Sequence, residues 1–211
     1  MGRVVLPLYT PRYTPQGQEI AVFSTSKGTI KVELDGNHAP IAVGNFIELA
    51  RRGFYDRSKF HAYKEKSVVL GGCPKTRELG PAQVDAAMRR VVRGIHPGTG
   101  DARYVIADEY TTKQDNYHER GSLCLAHKSD PNTSSCQFYF SLARQPEFDN
   151  KFTVFGKTAE GIDVVEALRI GDTILAIEII GADETRLEEA LSFDPPTPAS
   201  SFTDLAQGET E

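Results

Sequence analysis

The chain has no tryptophan, three cysteines and two methionines in 211 residues, and no apolar run approaches the length that spans a bilayer. Cys73, Cys124 and Cys136 are odd in number and stand in no Cys-x-x-Cys or Cys/His spacing, which argues against a disulfide framework and a structural zinc site. The stretch MGRVVLPLYTPRYTPQGQE lacks the apolar core of a signal peptide. Leu6 occupies the position where N-myristoylation needs Ser or Thr. A reducing cytosol is therefore the expected location. Charge of one sign is also scarce: 24 basic against 29 acidic residues leave a net charge of -5, so neither nucleic acid nor an anionic membrane is an expected partner. Internal repeats are absent, and no metal or cofactor is expected.

What is present is the composition of one globular domain, 39% hydrophobic and 25% charged. Pro7, Pro11, Pro15 and Gly17 favour an extended arm over residues 1–17 rather than a packed element. IAVFSTSKGTIKVEL reads as a hairpin with Ile30, Val32 and Leu34 on its buried face and a tight turn at Lys27-Gly28. The pattern then turns helical from Pro40, with Val43, Phe46, Ile47 and Ala50 on one stripe and Gly53 as the stop. Gly44 inside this helix costs about 1 kcal/mol relative to Ala, which implies close packing at that point.

Strand-like segments follow at Lys59 to Lys66, Ser67 to Leu70, Tyr104 to Ala107, Gly121 to Ala126, Cys136 to Leu142, Thr153 to Lys157 and Ile174 to Ile180. A second clear helix carries Ile162, Val165 and Leu168 inward and stops at Gly171. Many short strands with two long helices point to a closed or nearly closed antiparallel sheet. Residues 73–103 form a long connection in which Pro81 to Arg93 has Val84, Met88, Val91 and Val92 at helical spacing. Its Arg89, Arg90 and Arg93 suit either a basic docking edge or a solvated helix face. Residues 183–211 read as a short helix and then a disordered tail rich in proline, serine and acid.

HAPIAVGNFIELARRGFYD, Phe60-His61, Gly71-Gly72, ERGSLCLAH, SSCQFYFSL and FTVFGKTAEGIDVVEAL, in that order and spacing, resemble the cyclophilin family of peptidyl-prolyl cis-trans isomerases. The likeness covers roughly Ile20 to Gly181 and implies a domain over residues 18–182. The fold it implies is mainly β: an eight-stranded antiparallel barrel capped by two α-helices, here with an inserted short helix. It also implies a groove on the outer wall for proline-containing segments of client proteins, a part in protein folding, and a monomer.

Rotation about an X-Pro bond passes a barrier of about 18 to 20 kcal/mol because conjugation is lost at the twisted transition state. A catalyst needs an apolar pocket for the proline ring, donors for the neighbouring carbonyls and a cation beside the proline nitrogen. The resemblance carries the arginine that supplies this cation onto Ala62. It carries the pocket aromatic onto Ser67, the methionine onto Val68 and the orienting glutamine onto Leu70. Gln137 matches the family's glutamine and is a candidate catalytic or backbone-contacting residue, with Ala126, His127, Tyr139, Phe148 and Phe152 as the other substrate-facing positions. The tyrosine hydroxyl of Tyr139 needs a partner if it is buried. Glu147 stands where an aromatic ring is frequent. His61 reads as a core hydrogen-bonding residue, with a catalytic role as the alternative. Lys64, two residues from Ala62 on the same strand face, is a candidate replacement cation. The expected function is a weak peptidyl-prolyl isomerase; the alternative is a proline-peptide-binding or scaffold module without catalysis.

Overall fold

The computed structural model describes residues 5–91, 94, 96–110 and 117–197. Strand β1 (Ile20–Thr25) and β2 (Gly28–Leu34) pair from Ile20 opposite Glu33 to Thr25 opposite Gly28, so the tight turn is Ser26-Lys27. Gly28 already lies in the strand with φ +137°, a conformation that a side chain resists. Ala21, Phe23, Ile30, Val32 and Leu34 are buried, as period-two patterning requires.

Helix α1 (Pro40–Arg51) begins with Pro40 in its first turn, where a missing N–H costs nothing. The Glu109 carboxylate accepts from the free amides of Ile41 and Ala42, at 3.0 and 2.8 Å. An added Cβ at Gly44 would lie 2.5 Å from the Tyr13 carbonyl oxygen, so glycine lets the N-terminal segment touch the helix.

The remaining strands are β3 (Ala62–Lys64), β4 (Val68–Gly71), β5 (Ser122–Leu125), β6 (Phe138–Ser141), β7 (Val154–Glu160) and β8 (Ile174–Ile180). They complete an eight-stranded antiparallel sheet in the order β3-β4-β6-β5-β7-β2-β1-β8. Its two ends meet: Phe60 N–H donates to Asp172 at 2.9 Å, Gly171 N–H to Phe60 at 2.8 Å, and Arg57 N–H to Ile174 at 2.8 Å. Phe23, Phe46, Tyr55, Phe138, Phe140 and Phe155 fill the interior with stacked, tilted and edge-on rings. Helix α3 (Ile162–Ala167) covers the sheet through buried Val165 and Leu168.

Beyond the shifted hairpin turn, further expectations need correction: α3 ends at Ala167, with Leu168 already extended, and not at Gly171. Tyr104 to Ala107 is not a strand of the sheet; Val105 and Ile106 make single bridges, to Leu8 and Ser134. The Lys59 to Lys66 segment is regular only at β3, because its first residues pair with Thr173 instead to close the barrel. The inserted helix α2 is shorter than expected, Pro81–Met88, because Arg90 turns into the left-handed region at φ +58°. Val84 is buried, but Val91 is 73% exposed rather than inward; Val92 and Arg93 lie outside the described residues.

The N-terminal arm is extended yet packed. Tyr9 and Tyr13 are buried, and Glu48 of α1, 1% exposed, accepts from the Tyr9 hydroxyl and the amides of Arg12 and Tyr13 at 2.7, 2.6 and 2.8 Å. The short C-terminal helix is α4 (Glu184–Leu191), capped by the Asp183 carboxylate and buried through Leu187 and Ala190. The acidic tail from residue 198 lies outside the described residues.

Candidate functional site: an apolar groove on the outer wall

Strand register places one outward-facing row across the barrel. Ala62 is opposite Leu70, Leu70 opposite Tyr139, Tyr139 opposite Cys124, and Cys124 opposite Val154. Side chains two apart share a face, so Val68 and Lys64 belong to this wall as well. Cys124, Tyr139 and Val154 are buried, with Val68, Leu70, Ala126, Phe148 and Phe152 packed against them. The wall is thus apolar without being part of the interior.

Beside this cluster lies a groove of about 280 Å³, whose lining includes His61, Ala62, Leu70, Ala126, His127 and Gln137. Leu6 of the arm and Met88 of α2 reach its rim. A larger hollow of about 460 Å³ lies along β2 and β7, lined by Glu33, Asp35, Glu119 and Lys157 among others. It contains none of the positions selected from the sequence.

Tyr139, 4% exposed, answers the need for a hydroxyl partner. His118, fully buried, has Nε2 2.9 Å from the Tyr139 hydroxyl and Nδ1 3.1 Å from Asp149. A carboxylate accepts only, so the ring proton sits on Nδ1 and Tyr139 donates to Nε2. Burial holds the His118 imidazole below its ordinary range, against the pull of Asp149. Arg144 in turn pairs with Asp149 and, at 2.9 Å, with Glu119. Phe148 and Phe152 stand edge-on to the Tyr139 ring at centroid separations of 6.2 and 6.1 Å. His118, Asp149 and Arg144 were missed in the sequence; the only signal was the hydroxyl that Tyr139 adds to an apolar position.

The other expected positions divide. Ser67 is buried, and its hydroxyl donates to Gln145 Oε1 at 3.1 Å, so it ties two loops together where an aromatic wall was expected. Gln137 lines the groove, but its amide nitrogen faces the carbonyls of Gly98 and Gly100 at 2.9 and 2.7 Å. Both its donors are therefore occupied by the inserted connection, and its side chain also interacts with His61. His61 is 2% exposed, and burial holds its imidazole down to about 4, so it is neutral at ordinary pH. His127 stacks on Phe152 at 4.4 Å, and both its ring nitrogens face backbone carbonyls rather than the groove. Lys64 shares a face with Ala62 but is exposed and outside the groove lining.

No helix among the described residues is long and apolar enough to cross a membrane, and no cluster of His, Cys, Asp and Glu among them could hold a metal ion. The groove has Ala62 at the place of the expected cation and adjoins an apolar cluster of Tyr139, Phe148 and Phe152 that does not itself line it.

Residues 20–182 match the family model of the cyclophilin type peptidyl-prolyl cis-trans isomerase/CLD. A peptidyl-prolyl cis-trans isomerase of Synechococcus elongatus is 35% identical over 162 residues, covering 76% of this chain and 95% of the relative. One from Helicobacter pylori is 34% identical over 159 residues, covering 74% and 84%. Among solved structures, a cyclophilin type isomerase of Cryptosporidium parvum superposes with a TM-score of 0.60 at 24% identity, covering 77% of this chain and 96% of that one. The crystal structure of the Cryptosporidium protein in the presence of the dipeptide Ala-Pro gives 0.56 at 25% identity, covering 76% and 96%.

Proposed function

The chain belongs to the cyclophilin family of peptidyl-prolyl cis-trans isomerases, and from that premise we propose that its outer groove holds X-Pro segments of client proteins and isomerises them slowly. The observation that supports the reading is the row Ala62, Leu70, Tyr139, whose apolar side chains border the groove; the proposed proline seat lies along it, with a methyl group where the family resemblance puts a cation. The seat still aligns the peptide and strips water from the bond, which favours the less polar twisted amide. Without a donor for the developing lone pair on the proline nitrogen, about 3 to 4 kcal/mol of transition-state stabilisation is lost, a factor of roughly a hundred to a thousand.

A second reading, a proline-peptide-binding or scaffold module without turnover, is favoured by Gln137, whose donors are held by Gly98 and Gly100. Restoring the missing group separates the two. Ala62→Arg, alone and with Leu70→Gln to orient it, should raise kcat/KM on a proline tetrapeptide by about a hundredfold. A restored pair that gains nothing defeats the isomerase reading and leaves the binding module. The proposed setting is protein folding in the cytosol by a monomer, a compartment suited to three buried free thiols; sedimentation and fractionation test these points.

A further inference from the structure

Two lysines that the reading of the groove leaves unused are brought together by a single ring. His127 follows β5, with Nδ1 2.5 Å from the Lys128 carbonyl oxygen and Nε2 2.7 Å from that of Lys151. Lys128 belongs to the loop after β5 and Lys151 to the one after the Pro146–Phe148 turn, yet their backbones stand one imidazole ring apart. Both loops are braced. The Lys128 amide donates to Thr133 Oγ1 at 3.0 Å, the Thr133 hydroxyl donates to the Asp130 carbonyl at 2.6 Å, and the Lys151 amide donates to the Phe148 carbonyl at 3.1 Å. The anchors of the two side chains are thus fixed.

Both lysines are exposed, and neither ammonium group has an ion-pair partner among the described residues. They line one hollow of about 340 Å³, with Tyr110, Ser129, Asn150 and Phe152 among its other walls. Among the described residues no carboxylate lines it. Across the loop, the Asp108 carboxylate is taken up by the Asn132 amide and the Ser134 hydroxyl, at 2.6 and 2.7 Å. His127 and Lys128 line the proposed proline groove as well, so the hollow and the groove adjoin.

We propose that Lys128 and Lys151 form an anion subsite beside the groove, which selects client segments carrying a carboxylate or phosphate close to the proline. The inference rests on the reading of the groove given above and names the segments it prefers. A lysine is a compact charge on a flexible four-carbon stem, so two with backbones this close converge on one anion. The groove takes the proline, and the lysine pair tells one X-Pro segment from another. Because both ammonium groups are exposed, the gain is modest and falls with salt.

The test titrates the whole chain with hexapeptides centred on Ala-Pro that carry Glu, phosphoserine or Gln two residues before or two residues after the proline. In low salt, Glu and phosphoserine at one of the two places should bind about threefold to tenfold more tightly than Gln there. That ratio should fall toward one in about 1 M salt, where exposed charges are screened beyond about 3 Å. It should also fall to one in the double variant Lys128→Gln, Lys151→Gln and persist in Lys128→Arg, Lys151→Arg, with urea unfolding showing that each variant is folded. A ratio near one at both places, or one that the glutamine variant keeps, overturns the inference and leaves the groove reading standing. An acidic peptide that binds equally well with Ala in place of proline supports the lysine pair and defeats the groove reading instead. Binding of none of the peptides overturns both.

Discussion

Lowering the pH from 7.5 to 4 should destabilise the fold through His61, by an amount that can be worked from its burial. The side chain is 2% exposed, and loss of solvent pushes its imidazole from 6.5 to about 4. Hydrogen bonding toward the Lys59 backbone and the Gln137 side chain offsets only part of the cost of charge. The folded state thus binds a proton more weakly than the unfolded chain. Stability from this group is fully present above about 6.5, is lost as pH falls through the window, and is gone below about 4. A difference of about 2.5 pH units corresponds to roughly 3 kcal/mol. Urea unfolding at a series of pH values, for wild type and His61→Gln, isolates the effect. Asp149 and Glu19, both held low, also lose stability on acidification but do so in both proteins. The wild-type curve should fall about 3 kcal/mol further than that of the variant between pH 7.5 and 4. Two parallel curves would refute the burial argument and reopen a solvent-accessible role for this histidine.

Glu48→Gln should cost about 3 kcal/mol, since the amide puts N–H groups against donors that now share a carboxylate, and residues 9–13 should lose their protection from hydrogen exchange. Tyr139→Phe should cost about 1 to 2 kcal/mol by leaving the buried His118 Nε2 without its donor, while Ala-Pro affinity changes less than threefold; urea unfolding and peptide titration measure the two halves. Lys64→Ala should leave the isomerase rate unchanged within twofold, because the ammonium group stands outside the groove lining; a tenfold fall in a proline-peptide exchange assay would make it the substitute cation.

Much of the barrel was legible because its signals are local. Alternation in Ile30, Val32 and Leu34 and the helical stripe of Val43, Phe46 and Ile47 each select a face without knowledge of the partner. The outward row through Ala62, Leu70 and Tyr139 could be anticipated from family blocks held in register. What stayed hidden depends on groups far apart in the chain. The prolines of the arm read as extended, and they are, but the burial of Tyr9 and Tyr13 was set by carboxylates at Glu48 and Glu19. Helical spacing ran on through Val91, and a left-handed turn at Arg90 broke it. In the site, Ser67 and Gln137 occupied expected places, but their hydrogen bonds go to Gln145 and to the carbonyls of Gly98 and Gly100. Hydroxyl and amide side chains announce that they need partners and not which ones they take.

The proposed groove keeps its grip on proline and has lost most of its catalytic power with Ala62. NMR exchange on a proline tetrapeptide, with wild-type protein and an arginine-bearing family member measured side by side, addresses both halves at once. The account predicts peptide-induced shifts at Ala126, Tyr139, Phe148 and Phe152, with cis-trans exchange catalysed at no more than about a hundredth of the rate of an arginine-bearing family member. Exchange as fast as that of such a member, with Ala62 in place, would contradict it.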